Sequence, residues 1–154
     1  MKSHQLPVLI VILFLAEIAC GNQNPLRPAD ISVLESYQKI YEALTADTIK
    51  GVSENASAIA KTVKADGEKK LPIALADEAE KMAKETDLKI SRESFQKLSS
   101  TLISYLEKQN IKGTGFDENY CPMVKASWLQ KGEKMNNPYF GKSMPSCGEN
   151  KRSF

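Results

Sequence analysis

From residue 30 to about residue 112 the apolar positions recur at steps of three and four, which is the period of one helix face. Asp30 stands where a capping carboxylate is useful, and Val33, Leu34, Tyr37, Ile40, Tyr41 and Leu44 follow as a single stripe. The phase breaks at Thr45-Ala46-Asp47, predicting a turn near Asp47. It resumes as Ile49, Val52, Ala56, Ile59 and Val63, a second helix ending near Ala65, with Asp66-Gly67 as the next turn. Pro72 suits the first turn of a third helix, where its missing N–H leaves no bond unmade. Leu75, Ala79 and Met82 form that helix's stripe, and Thr86-Asp87 closes it. Ser91 reads as the N-cap of a fourth helix, with Ile90 placed to staple onto Phe95. Phe95, Leu98, Leu102, Tyr105 and Leu106 continue the stripe until Gly113 and Gly115 stop it.

Beyond Gly115 the helical period vanishes. Residues 116–123 read as extended, but Pro122 limits ladder pairing, so a strand there is short or at an edge. Asn136-Asn137-Pro138 and Phe140-Gly141 are turn formers. The expectation is an all-α fold: an antiparallel bundle of about four helices closed by an irregular, Cys-containing C-terminal cap with room for one small β-hairpin.

The first twenty residues obey other rules. Lys2 precedes an apolar run from Leu6 to Ala16, and small residues gather at Ala19-Cys20-Gly21. A charged start, apolar middle and small-residue exit make residues 1–20 a signal peptide. The run falls short of the about 20 apolar residues that span a bilayer. Cys20 at its end, followed by the polar stretch 21–29, is similar to a bacterial lipoprotein signal, which assigns Cys20 as the acylated residue and 21–29 as a flexible tether to a membrane. Glu17 departs from the leucine usual at that position of the signal, and plain cleavage near Cys20 is the alternative. Either route leads to the cell envelope: a periplasm-facing or surface lipoprotein, or a protein secreted to the periplasm. Residues 30–154 then form one domain of ordinary size.

Composition removes more function classes than it adds. With 21 Lys and Arg against 19 Asp and Glu, the net charge is +2, far from the dense basic face that nucleic acid requires. The sole histidine, His4, lies in the leader, so the domain has no imidazole for a triad, a Cys-His nucleophile or a histidine metal site. The reading is therefore a non-enzymatic protein.

What remains is sulfur. Cys121-Pro122-Met123 and Met144-Pro145-Ser146-Cys147 each pair one thiol with one thioether, donors that select Cu(I) and related soft ions. A one-residue gap puts both sulfurs on one side of an extended chain, and a two-residue gap wraps both around one ion in a turn. Cys121, Met123, Met144 and Cys147 are the candidate metal ligands, with Trp128 and Tyr139 as shielding. The alternative is a Cys121–Cys147 disulfide closing a loop of about 27 residues, a staple contributing roughly 3 kcal/mol. A dithiol redox role is weaker, because the spacing is not the compact one that depresses a thiol pKa.

The run Tyr120-Cys121-Pro122-Met123, then Trp128-Leu129, Asn137-Pro138-Tyr139-Phe140-Gly141, Met144 and Cys147-Gly148-Glu149 resembles a bacterial periplasmic family of unknown function. That family also occurs at the C-terminus of copper/silver and other heavy-metal efflux adaptors. Residues 92–99 resemble its preceding helix, so the likeness runs from about Ile31 to Glu149. It implies a free-standing helical envelope domain linked to metal efflux, with Cys121, Met123, Met144 and Cys147 as ligands and Trp128, Tyr139 and Phe140 as the surrounding shell. The chain carries no adaptor body, so contact with efflux components would be made in trans. Relatives that carry helix histidines also differ from this chain, which has none there.

Overall fold

The computed structural model describes residues 24–154. The signal peptide and the start of the tether expected from the sequence, Cys20 included, lie outside that range. Four helices come first: α1 (Pro28–Thr45), α2 (Val52–Lys64), α3 (Ile73–Met82) and α4 (Leu88–Lys108). Each packs on the next in chain order. Every stripe residue named for α1, α3 and α4 is buried, as are Val52, Ala56, Ile59 and Val63 of α2. Among the described residues, no helix is long and apolar enough to cross a membrane.

Two helix starts differ from the sequence reading. α1 begins at Pro28 with Arg27 as N-cap, and Asp30 sits in the first turn, accepting from the Arg27 N–H at 2.9 Å. α4 begins at Leu88, capped by the Asp87 carboxylate, which accepts from the Ile90 N–H at 2.9 Å. Ser91 is thus inside the helix, buried and with its hydroxyl unpartnered, and Ile90 is 46% exposed rather than stapled to Phe95. A carboxylate is the stronger cap, because it puts full negative charge on the positive end of the helix dipole.

The irregular cap is also corrected. The C-terminal third builds a three-stranded antiparallel sheet in the order β2-β1-β3, from β1 (Asp117–Cys121), β2 (Ala126–Gln130) and β3 (Glu149–Ser153). β1 and β2 are a hairpin with Cys121 opposite Ala126, and β1 is short, as Pro122 requires, but central. β3 pairs Asp117 with Ser153 and Tyr120 with Glu149, with a register shift after Glu118. The fold is therefore helices plus a small sheet. Along β1 and β2 side chains alternate between two faces. α4 packs against β2, and Tyr139 of the connection 131–148 meets both the Trp128 ring of β2 and the Phe95 ring of α4.

Tyr37 joins helices to sheet. Fully buried on α1, its hydroxyl lies 2.7 Å from Ser99 Oγ on α4 and accepts the outward-facing Leu129 N–H of β2 at 3.0 Å. The ring stacks on Phe95 with centroids 4.9 Å apart. Burial raises the Tyr37 pKa, so the hydroxyl stays protonated.

Arg27 joins the other end. It pairs with Asp30 and with Asp66, each at 2.8 Å, and donates to the Tyr105 hydroxyl at 2.9 Å. Asp66 also accepts the Leu71 N–H at 2.9 Å. These bonds lock the start of α1 to the α2–α3 turn and to α4. Just upstream, Asn24 donates to the Gln109 carbonyl at 2.7 Å, which ties residue 24 to the C-terminal end of α4.

Two predictions follow from these joints. Removing the hydroxyl in Tyr37→Phe strands the Leu129 N–H in a dry interior, which costs about 1–3 kcal/mol in urea unfolding. The Arg27 hydrogen bond draws the Asp66 pKa from 3.8 down to about 2. A depressed carboxylate stabilises the fold above its unfolded pKa and stops doing so as pH falls through its folded pKa. Stability should thus decline between about pH 4 and pH 2. Asp66→Asn should be less stable at neutral pH and show a shallower acid slope over that window.

Candidate functional site

Cys121 is the last residue of β1, and its side chain is fully buried. Cys147 precedes β3 and is half-buried. Gly148 brings them together: its Cα lies against β1 so closely that a Cβ would sit 3.2 Å from the Tyr120 carbonyl, 2.6 Å from the Trp128 ring and 2.9 Å from Met135 Sδ. Any side chain there would displace the Trp128 ring or the Met135 thioether. With Gly148 in place the two thiols are free and within hydrogen-bonding reach of each other. Desolvation, then the charge and hydrogen bond of Cys121, raise the Cys147 pKa.

The four ligands expected from sequence are placed differently from one another. Extended geometry ends at Cys121, and Met123 lies in the β1–β2 turn with 60% of its surface exposed, so the shared side argued for an extended chain does not apply. The other arm does wrap: Cys147 N–H donates to the Met144 carbonyl at 3.3 Å, closing a turn with Met144 half-buried. Trp128 and Tyr139 lie beside the thiols, ring centroids 5.9 Å apart and edge to face. Burial raises the Tyr139 pKa well above its ordinary value, and Cys121 adds to the rise. Phe140 is half-exposed and contributes chiefly its carbonyl, which accepts the Ser143 N–H at 3.2 Å.

Residues that the sequence reading took only as turns or helix surface hold this segment. Asn137 is fully buried: its side-chain N–H donates to the Cys147 carbonyl, its main-chain N–H donates to the Pro145 carbonyl at 2.7 Å, and its side-chain oxygen Oδ1 accepts the Tyr139 N–H at 2.8 Å. Gln130 Oε1 accepts from Trp128 Nε1 at 3.0 Å and from the Asn136 N–H at 3.2 Å, orienting the indole. Arg92 of α4 donates to the Pro138 carbonyl at 2.8 Å, to the Leu44 carbonyl at 2.9 Å and to Asp47 at 2.6 Å. Asp47 in turn accepts the Lys142 N–H. These residues are far apart in sequence and follow no period. Only the Asn-Pro pair gave a local signal.

Among the described residues, no group of three or more His, Cys, Asp and Glu side chains is arranged to hold a metal. The thiol pair therefore has no carboxylate as a third donor. A separate polar cleft of about 570 Å³ lies between α4 and the sheet, lined by Glu118 and Tyr120, the neighbours of Cys121 that face the other way.

Gly141 tests the clamp. Its φ is +54°, and a Cβ there would lie 1.9 Å from Asp47 Oδ1 and 2.4 Å from Arg92 Nη2. Gly141→Ala should lower stability by about 2–4 kcal/mol, combining left-handed strain with a broken ion pair. Gly132→Ala, at φ +90° with open space around it, should lose only the conformational part, about 1–2 kcal/mol. Urea midpoints of the two variants separate strain from clash.

Comparisons with known proteins bear on the helices. Neither the curated proteins nor the solved structures give a significant match. A family profile described as a protein of unknown function, DUF3347, matches residues 33–114. The match covers most of α1, all of α2 to α4, and ends before β1, so the Cys and Met positions lie beyond it. By its helical body, this chain belongs to the DUF3347 family of proteins of unknown function.

Proposed function

We propose that this protein is a non-enzymatic, helical-bundle domain of the cell envelope whose Cys121–Cys147 thiol pair takes up a soft metal ion, Cu(I) foremost. Acylation at Cys20 would anchor it to the membrane with the domain toward the periplasm or the cell surface, and its partners would be heavy-metal efflux components reached in trans. The observation that carries the reading is the approach of two thiols, distant in sequence, to within hydrogen-bonding reach of each other, with Cys121 fully buried. Two thiolates satisfy a d10 cation that favours soft donors and low coordination. Half-buried Cys147 offers the ion a way in, and buried Cys121 keeps water from the bound state.

One observation favours a second reading. Thiols close enough to share a hydrogen bond are also close to bonding distance, and an oxidising compartment would join them. The protein would then be a disulfide-stapled structural or interaction domain without a ligand.

Titration of reduced protein with Cu(I) against a competing chelator decides between them. One equivalent should bind, and Cys121→Ser with Cys147→Ser should abolish uptake; unchanged affinity in the double variant defeats the site. Because the Cys147 pKa is raised, its proton is still present at neutral pH and must leave when metal binds. Binding should therefore release protons and weaken as pH falls, measurable by repeating the titration across pH. Intact mass without reductant reads out the second reading as a loss of two hydrogens.

A further inference from the structure

Two thiolates and one Cu(I) carry a net charge of −1 in a largely dry pocket, and no third ionisable donor is at hand. A third ligand is acceptable there only if it is soft and neutral, because another anion would bury uncompensated charge. A thioether meets both conditions. Three methionines lie in the C-terminal third, and the fold treats them differently. Met123 is 60% exposed on a turn. Met144 is half-buried, and its main-chain carbonyl closes the turn to Cys147. Met135 is packed against the core, with its Sδ 2.9 Å from the point where a Cβ would stand on Gly148, the residue that follows Cys147, and the Trp128 ring lies 2.6 Å from the same point.

Resting on the soft-metal reading above, we infer that Met135 is the third sulfur ligand, completing a trigonal S3 site with Cys121 and Cys147. Its position follows from local structure. Gln130 Nε2 donates to the Gly132 and Lys134 carbonyls at 3.3 and 3.1 Å, and its Oε1 accepts the Asn136 N–H, so main-chain groups on both sides of Met135 are tied to one buried amide. Residue 135 is thereby directed at the sheet face that carries Trp128 and Cys121. The long, unbranched side chain supplies the remaining reach, since methionine adapts to irregular space more readily than any branched residue. Gly148 is the matching concession: a side chain there would occupy the place of the thioether.

The test uses reduced full-length protein loaded with Cu(I) alone. X-ray absorption at the copper edge should show three sulfur neighbours, and Met135→Leu, which keeps the volume, should show two. Leu should also weaken Cu(I) binding by about tenfold or more, while Met123→Leu and Met144→Leu stay within about twofold of the parent. Selenomethionine labelling gives a readout that does not depend on any variant's folding: a copper–selenium path should appear in the parent and vanish in labelled Met135→Leu. A two-sulfur parent, or a copper–selenium path that survives Met135→Leu and is lost in Met144→Leu, overturns the assignment while leaving the thiol site intact. Wild-type affinity in the double cysteine variant would instead remove the soft-metal reading and this inference with it.

Discussion

The constraint on which the rest depends is the outer edge of β2. An edge strand has a row of main-chain groups with no strand to pair with, and buried main-chain groups must be paired. Here the partners are tyrosine hydroxyls: Tyr37 accepts the Leu129 N–H, and Tyr139 donates to the Ser127 carbonyl. Tyr37 also meets Ser99, so one hydroxyl fixes α1, α4 and β2 at a single point. A small sheet of this size has too little core to stand alone. It is stable because it is hydrogen-bonded to the helices as though they were its fourth strand.

Once β2 is docked, little freedom remains for the segment that follows. The connection 131–148 packs on β2 through Tyr139, and three buried or half-buried polar groups pin it there. Gln130 ties its start, Arg92 with Asp47 ties its middle to the ends of α1 and α4, and Asn137 ties the carbonyl of Cys147. These bonds fix the segment from several directions, although its regular structure is a single 3-10 turn at Gly141–Ser143. Gly141 and Gly148 are required where the chain passes closest to those groups.

This division explains what could be read in the sequence. The helices announced themselves because burial on one face imposes a period, and every residue of the α1, α3 and α4 stripes is indeed buried. Helix starts were harder, since Asp30, Asp87 and Ser91 are all good caps and only the tertiary pairing of Asp30 with Arg27 and Tyr105 decides among them. β3 was invisible: Glu149-Asn150-Lys151-Arg152-Ser153 has no apolar alternation, because an edge strand exposed on both faces needs none. Its Lys and Arg are what discourage further strands from adding. The thiols were legible as residue types and the helices as a family body, but Asn137, Gln130, Arg92 and Met135 were not. The Asn137 side chain reaches a carbonyl 10 positions away and Arg92 reaches carbonyls 46 and 48 positions away, and no local pattern encodes such contacts.

The asymmetry of the two thiols follows from the same architecture. Cys121 belongs to the central strand, paired with Ala126 of β2 and next to Tyr120, which pairs with Glu149 of β3. Cys147 belongs to the pinned connection and can shift by a rotamer. A pair built in this way does not need its ligand to organise it, because the main chain on either side is already held by bonds to α1, α4 and β2. Binding of a soft ion would therefore spend little on ordering the site. The raised pKa of Cys147 means that such an ion would have to displace its proton. Hard ions, which gain little from sulfur, would leave that proton where it is.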